Sequence, residues 1–351
     1  MTTLRPVEAP PETERPATEP GVWRPDRLLE GFECRTLPLA VHPVTGEPDD
    51  PIVGTLVRRS DAARRAFPRA VLHLHGWNDY FFHPHVAAFF EDRGFAFYAL
   101  DLRRYGRSFR EGQLHGYIAE LGEYAAEIDA ALALVRSEHA ATTLMGHSTG
   151  GLTAALYAAD HPGQFQAVIL NSPWLDMWGP PAMTAVLKPL LSQWSKRNPV
   201  SILPVRETDA RVYARAMHAS YGGAWDYDFR LKTPDPEPVR VGWLRAVLHG
   251  HARVARGLDI DCPVLVTTST RTSFLRRYSP KAREVDIVLD VDRISAVAWR
   301  LGNLVTLARI EGGTHDLALS GPEARQRWFE AMSIWLRAYV PADTQLPLEL
   351  G

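Results

Sequence analysis

The sequence predicts an α/β protein with a mostly parallel central sheet of about eight strands covered by helices. Three observations carry this expectation. Short apolar runs alternate with helix-periodic segments over most of the chain. A serine stands between two glycines where one run meets an alanine-rich stretch, and a Gly-Gly loop bearing a histidine follows the last run.

Residues 1–20, MTTLRPVEAPPETERPATEP, are rich in Pro, Glu and Thr and lack the apolar centre of a secretory signal, which predicts a disordered tail on a cytoplasmic protein. The runs FECRTLPLA and PIVGTLVRR predict an antiparallel hairpin; AVLHLHG, FAFYALD, TTLMGH, QAVILNS, PVLVTTS and VTLARIEGG predict the strands that follow. Among these runs, HVAAFFEDR and GEYAAEIDAALALVR space apolar residues at helical intervals, and EARQRWFEAMSIWLRAYV predicts an amphipathic helix packed on the core. Residues 173–257 break the rhythm with a Pro- and Trp-rich stretch, read as a cap inserted over the carboxyl edge of the sheet. Residues 21–172 and 258–351 form the core around it.

Composition narrows the function. With 39 Lys and Arg against 41 Asp and Glu, the net charge of -2 over 351 residues offers no field to draw nucleic acid or an anionic membrane. No window reaches the roughly 18 consecutive apolar residues of a membrane span, which leaves peripheral contact at most. Cys34 and Cys262 lie far apart in strand-like segments and read as two buried thiols, so neither a disulfide framework nor a cysteine zinc site is expected. The pairs His73/His75, His83/His85 and His249/His251 lack both the i, i+4 spacing of helical zinc ligands and an accompanying acid, so no metal and no cofactor are expected.

The chemistry concentrates in LMGHSTGGL. A strand turning abruptly into a helix strains its turn residue and leaves no space two positions before and after it, which Gly146 and Gly150 satisfy around Ser148. Ser148 is therefore the candidate nucleophile, with a helix N-terminus beneath it to favour developing negative charge. A serine needs a base, and His315 in EGGTHDLALS is best placed to supply one. The acid that orients His315 should come from the loop after PVLVTTS, which offers Asp286, Asp290 and Asp292. The amide of Thr149, next after the nucleophile, and that of Trp77 in HGWND are the candidate oxyanion donors.

Taken together, LHLHGWNDYFF, ALDLRRYGRS, GHSTGG and VTLARIEGGTHDLALS resemble, in that order, the α/β-hydrolase superfamily and specifically its monoacylglycerol-lipase and lysophospholipase-like branch, also described as serine aminopeptidase S33-type. The resemblance runs from about Phe32 to Val340 and implies an α/β-hydrolase fold with an inserted cap. It implies Ser148 as nucleophile, His315 as base, and Trp77 and Thr149 as the oxyanion hole. For the acid it favours Asp286, at the head of DIVLD. The family's acid normally follows its strand closely, whereas here a long basic loop intervenes, so Asp290 stays open. In DLRRYGRS the resemblance assigns Asp101, Arg103, Arg104 and Ser108 to fixing that loop, and in the cap it offers Trp174, Trp178 and Trp225 for substrate contact.

The activity expected is acyl transfer to water through an acyl-enzyme, on carboxylic esters with an apolar acyl chain such as a monoacylglycerol or lysophospholipid. The expected partner is this small-molecule ester; the sequence leaves the oligomeric state open. The sequence is also compatible with two rivals. One is an aminopeptidase, acyltransferase or thioesterase on the same fold; the aminopeptidase would need acids in the cap, where Asp176, Glu207, Asp209, Asp226 and Asp228 stand. The other is a non-catalytic ligand receptor.

Overall fold

The strands that read as continuous apolar runs are buried on both faces, as a parallel sheet covered by helices on each side requires. The computed structural model describes residues 21–341 apart from 178, 180, 205–210 and 236, so the N-terminal tail lies outside the described residues. The described residues form one nine-stranded sheet from β1 (Arg24–Pro25), β2 (Phe32–Pro38), β3 (Val53–Arg59), β4 (Arg69–Leu74), β5 (Phe95–Asp101), β6 (Ala141–His147), β7 (Ala167–Asn171), β8 (Val264–Ser269) and β9 (Val305–Ile310). The helices are α1 (Pro84–Glu91), α2 (Ala125–Glu138), α3 (Ser148–Asp160), α4 (Pro181–Arg197), α5 (Val212–Met217), α6 (Val241–Arg256), α7 (Val291–Ala298) and α8 (Pro322–Tyr339).

Spatial order is β1-β2-β3-β5-β4-β6-β7-β8-β9, antiparallel as far as the β3–β5 pair and parallel from there on. The expected hairpin is β2 and β3, in register from Phe32↔Arg59 to Pro38↔Val53. The ninth strand is β1, whose two residues pair with Cys34 and Glu33; it is too short to leave an apolar signature. This is the α/β-hydrolase architecture. The carboxyl ends of β4, β6, β7 and β8 all point to one edge, and in open parallel sheets that edge is where ligands bind.

One face of the sheet packs on α1 and α8, with Phe89, Phe90, Phe97, Trp328, Met332 and Leu336 in a single cluster. The other carries α2, α3 and α6, with Ile128, Leu132, Leu152, Leu156 and Val247 in a second. Within 173–257, α6 contributes Ala246, Val247 and Val254 to that second cluster and so packs as a core helix. The earlier part of the stretch builds two smaller apolar clusters. One joins Met177 and Leu191 to Val241 and Leu248 of α6, and the other joins Val212, Met217 and Tyr227 to Tyr80, Phe82 and Leu319.

The loop after β5 is fixed from within. Asp101, fully buried, accepts from the Phe81 amide at 2.9 Å, the Arg107 amide at 3.0 Å and Arg107 Nη1 at 2.9 Å, while Ser108 Oγ donates to the Asp101 carbonyl at 2.6 Å. Arg103 is paired with Glu127 and Arg104 with Glu47. Arg107, which the sequence reading passed over, is the hub, since it also forks onto Asp26. The cysteines differ from expectation. Cys34 lies in β2 but is only partly buried, and Cys262 is buried in the turn before β8 rather than in a strand. Burial pushes both thiols up to about 11, leaving them largely protonated at neutral pH.

Candidate active site

At the junction of β6 and α3, Ser148 takes φ 52°, a left-handed conformation that side-chain-bearing residues rarely adopt. The two flanking glycines make it possible. A Cβ on Gly150 would stand 2.1 Å from the His75 carbonyl oxygen, and one on Gly146 would stand 2.5 Å from that of Gly150. Both neighbours are backbone and cannot swing away. Gly150→Ala should therefore push α3 off the end of β4 and cost several kcal/mol, on the order of 3 or more. Gly122→Ala, where a Cβ would meet nothing within 4 Å, is the control. Equal melting temperatures for the two variants would contradict this packing.

His315 follows β9 and lies between Ser148 and Asp286. Its Nδ1 is 2.9 Å from Asp286 Oδ2, and its Nε2 is 3.0 Å from Ser148 Oγ. A carboxylate only accepts, so Nδ1–H donates to Asp286 and Nε2 is left to take the hydroxyl proton. Asp286 is fully buried, and its other oxygen accepts from the Val288 and Leu289 amides at 2.7 and 2.8 Å, which fixes the carboxylate plane.

The long loop after β8 explains the unusual spacing. It runs outward and returns, and a short parallel bridge of Thr272 with Asp286 brings the acid back beside the strand end. In that bridge the Asp286 amide donates to the Arg271 carbonyl at 2.9 Å and the Ser273 amide donates to that of Asp286 at 2.8 Å. Asp290 is elsewhere and occupied: it caps α7, accepting from the Asp292 and Arg293 amides. Asp292 pairs with Arg309 at the surface.

Of the two candidate oxyanion donors, Thr149 sits in the first turn of α3. Trp77 follows Gly76, whose Cα lies so close to the serine that a Cβ there would be 3.1 Å from Ser148 Cβ. The Trp77 ring lies on Trp243 of α6 with centroids 3.9 Å apart, and edge-on to Tyr105. Trp174 is beside Ser148, its amide donating to the Ser148 carbonyl at 3.0 Å and its ring 5.9 Å from that of Trp243. Trp225 is used differently. Its indole N–H donates to the Leu319 carbonyl at 2.7 Å and its ring stacks on His85, so it ties the inserted stretch to the core. Trp178 lies outside the described residues.

Behind His315 is a buried polar group that the sequence reading missed. Asp316 accepts from Asn171 Nδ2 at 2.7 Å and from the Ala318 amide at 3.0 Å, with His83 Nε2 at 3.1 Å. Burial works to raise its carboxyl, but His147, the His83 hydrogen bond and the Lys232 ammonium hold it well below the usual range. His147 donates Nδ1–H to the Asn171 carbonyl at 3.1 Å, and burial pushes its pKa down to about 4. One set of potential metal ligands converges among the described residues: Asp79, His147 and Asp316. A cation is already built into it, because Lys232 Nζ bonds Asp79 Oδ1 at 2.8 Å. The signal available in sequence was slight: an aspartate following His315 directly and another two residues after Trp77.

A family profile described as serine aminopeptidase, S33, matches residues 67–272, more than half of the chain. The chain is 31% identical over 155 residues to the monoacylglycerol lipase of Mycolicibacterium smegmatis, a match that covers 42% of this chain and 52%, about half, of that relative. The crystal structure of Paleococcus ferrophilus monoacylglycerol lipase superposes with a TM-score of 0.57 at 19% identity, over 77% of this chain and 94% of that one. A soluble variant of Saccharomyces cerevisiae monoglyceride lipase gives a TM-score of 0.58 at 16% identity, over 86% of this chain and 97% of that one. These structural likenesses bear on the fold; the profile match bears on the family. The chain belongs to the serine aminopeptidase S33 family of α/β-hydrolases.

Proposed function

We propose that this protein is a serine hydrolase cleaving carboxylic esters of apolar acyl chains. The observation that carries the reading is the hydrogen-bonded series Asp286–His315–Ser148 on a strained strand-to-helix turn. His315 Nε2 takes the Ser148 proton as Oγ attacks the ester carbonyl, and the new imidazolium is held by Asp286. Charge on the tetrahedral oxygen goes to the Trp77 and Thr149 amides. His315 then protonates the departing alcohol, and water releases the acyl group by the same steps. No metal or cofactor takes part in this sequence of steps.

For the substrate, the aromatic cluster of Trp77, Trp174 and Trp243 next to Ser148 supports an apolar acyl site, with the inserted stretch that precedes α6 as its cover. An aminopeptidase would need free carboxylates there to bind an α-ammonium. Asp176 is already paired with Arg293 and Asp228 with Arg230, Glu207 and Asp209 lie outside the described residues, and Asp226 is an exposed carboxylate 3.5 Å from His218 Nε2, which leaves it as the one described cap acid open to an α-ammonium. The matched relatives named as monoacylglycerol or monoglyceride lipases favour the same substrate class. No helix among the described residues is long and apolar enough to cross a membrane. Leu190 and Trp194, one turn apart and exposed on α4, suit peripheral contact with an amphiphile.

Two measurements test this. A fluorophosphonate probe should label one serine, mapped by mass spectrometry to Ser148. With aryl esters of rising length, kcat/KM should climb by up to about fourfold per CH₂, the equivalent of roughly 0.8 kcal/mol, until the pocket is full. A flat profile together with a required free α-amine would replace the ester reading with the aminopeptidase one.

A further inference from the structure

The loop that follows the Trp77 amide is held by the inserted stretch at each of Asn78, Asp79 and Tyr80. Asn78 has φ 50°, a left-handed backbone in a side-chain-bearing residue. Its amide group pairs with the backbone of Thr233 in both directions: Nδ2 donates to the Thr233 carbonyl at 2.9 Å, and the Thr233 amide donates to Oδ1 at 3.0 Å. Asp79 meets Lys232 at 2.8 Å, both nearly fully buried, and Tyr80 Oη accepts from the Asp228 amide at 2.9 Å. The Lys232 ammonium is ringed by Phe82, Tyr213 and Tyr227 at 5.3 to 5.8 Å. A lysine this deep is costly to desolvate unless its carboxylate is in place, so the loop and the inserted segment fix each other.

On its other side the same loop is fixed to the core. The Trp77 ring is caught on Trp243 and Tyr105, and Gly76 abuts Ser148. The peptide joining Gly76 to Trp77 therefore lies between a core anchor and an anchor on the insertion. The carbonyl of that peptide accepts from His75 Nδ1 at 2.8 Å, so its plane is held directly from the core, and the anchor on the insertion bears on it through the Trp77–Asn78 link.

We propose that residues 228–233 are a clamp that builds the oxyanion hole: Lys232 and the Thr233 backbone hold Asp79 and Asn78 so that the Trp77 amide faces the oxygen developing at Ser148. Lys232 and Asn78 are then positioning residues for transition-state charge, and the inserted stretch acts on the chemical step as well as covering the substrate. This rests on the reading of Ser148 as nucleophile. Because the misplaced amide matters only once charge develops, loss of the clamp should lower kcat and leave KM nearly unchanged.

The test compares Lys232→Met, the double variant Asp79→Asn/Lys232→Met, and Asn78→Gly, on an acetyl and a longer acyl ester, with melting temperatures alongside. Lys232→Met leaves a stray buried carboxylate; the double variant removes it without restoring the clamp. Asn78→Gly keeps the left-handed backbone, buries no charge and loses only the Thr233 pair, so it carries the test if Lys232→Met does not fold. The expected result is a kcat lower by about 10- to 100-fold in all three variants, equal for both esters, with KM within about threefold, a loss of the order of one oxyanion donor's contribution or less. Wild-type kcat in both the double variant and Asn78→Gly would overturn the proposal, as would a loss confined to KM and growing with acyl length. If the wild-type protein shows no ester turnover that Ser148→Ala removes, the nucleophile reading fails first and the clamp's role falls with it. That outcome is seen before any clamp variant is made.

Discussion

Replacing Asp286 with Asn should lower kcat by about 10⁴-fold while leaving the fold and KM close to normal. An asparagine amide turned toward His315 would donate where the carboxylate accepted. That would favour the tautomer with hydrogen on Nε2, which has no lone pair for the Ser148 proton. Ser148→Ala should remove turnover by a comparable or greater factor, and the two losses should not add, because both residues serve one proton transfer. Asp290→Asn is the control: it alters the N-cap of α7, where asparagine caps nearly as well as aspartate, and should leave kcat near normal. Steady-state kinetics on a single aryl ester decides this. Should Asp290→Asn be the damaging change and Asp286→Asn the harmless one, the geometry at His315 would have to be rejected.

Stability should fall steeply between pH 6.5 and pH 4. Burial, the largest influence in each case, pushes His73 down to about 3 and His85, His115 and His147 down to about 4, and also lowers His75. Well above pH 6.5, from about pH 7.5 upward, these imidazoles are neutral both in the native protein and in the unfolded chain, so they exert no pH dependence. As the pH drops below 6.5 the unfolded chain binds protons that the native protein refuses, and stability declines until the native groups titrate near 4. By pH 5 each of His73, His85, His115 and His147 should have withdrawn on the order of 2 kcal/mol. Below about pH 4, the carboxyls held low in the native state, Asp316, Asp79 and Glu47, add losses of their own.

His75 shows why the native state resists protonation. Its Nδ1–H donates to the Gly76 carbonyl at 2.8 Å, and its Nε2 accepts from the Leu102 amide at 3.0 Å, so a second ring proton would face a donor. Thermal melts from pH 4.5 to 8 should show a plateau above pH 7 and a drop of roughly 10 °C or more by pH 5. A melting temperature constant across that range would mean that these imidazoles are hydrated.

Much of this protein is legible in its sequence because the relevant constraints act over a few residues. Strands buried on both faces must be apolar throughout, so the runs around Val71, Phe97, Leu144, Ile169 and Val266 stand out. The turn at Ser148 is strained by its own backbone geometry, and the glycines that relieve it sit at fixed offsets. What the tertiary structure alone decides involves partners far apart in the chain whose meeting leaves no periodic trace. Asp286 returns to the end of β8 through its bridge with Thr272, and until that bridge is seen the favoured Asp286 leaves Asp290 open. Trp225 looks like any aromatic in the inserted stretch until its indole is found on the Leu319 carbonyl. Lys232 reads as one more surface charge, and the long-range pairing that buries it against Asp79 ties the inserted stretch to the loop after Trp77. A sequence displays local propensity and strain directly; a buried ion pair is set by how separate segments pack, and only the folded chain brings its two halves together.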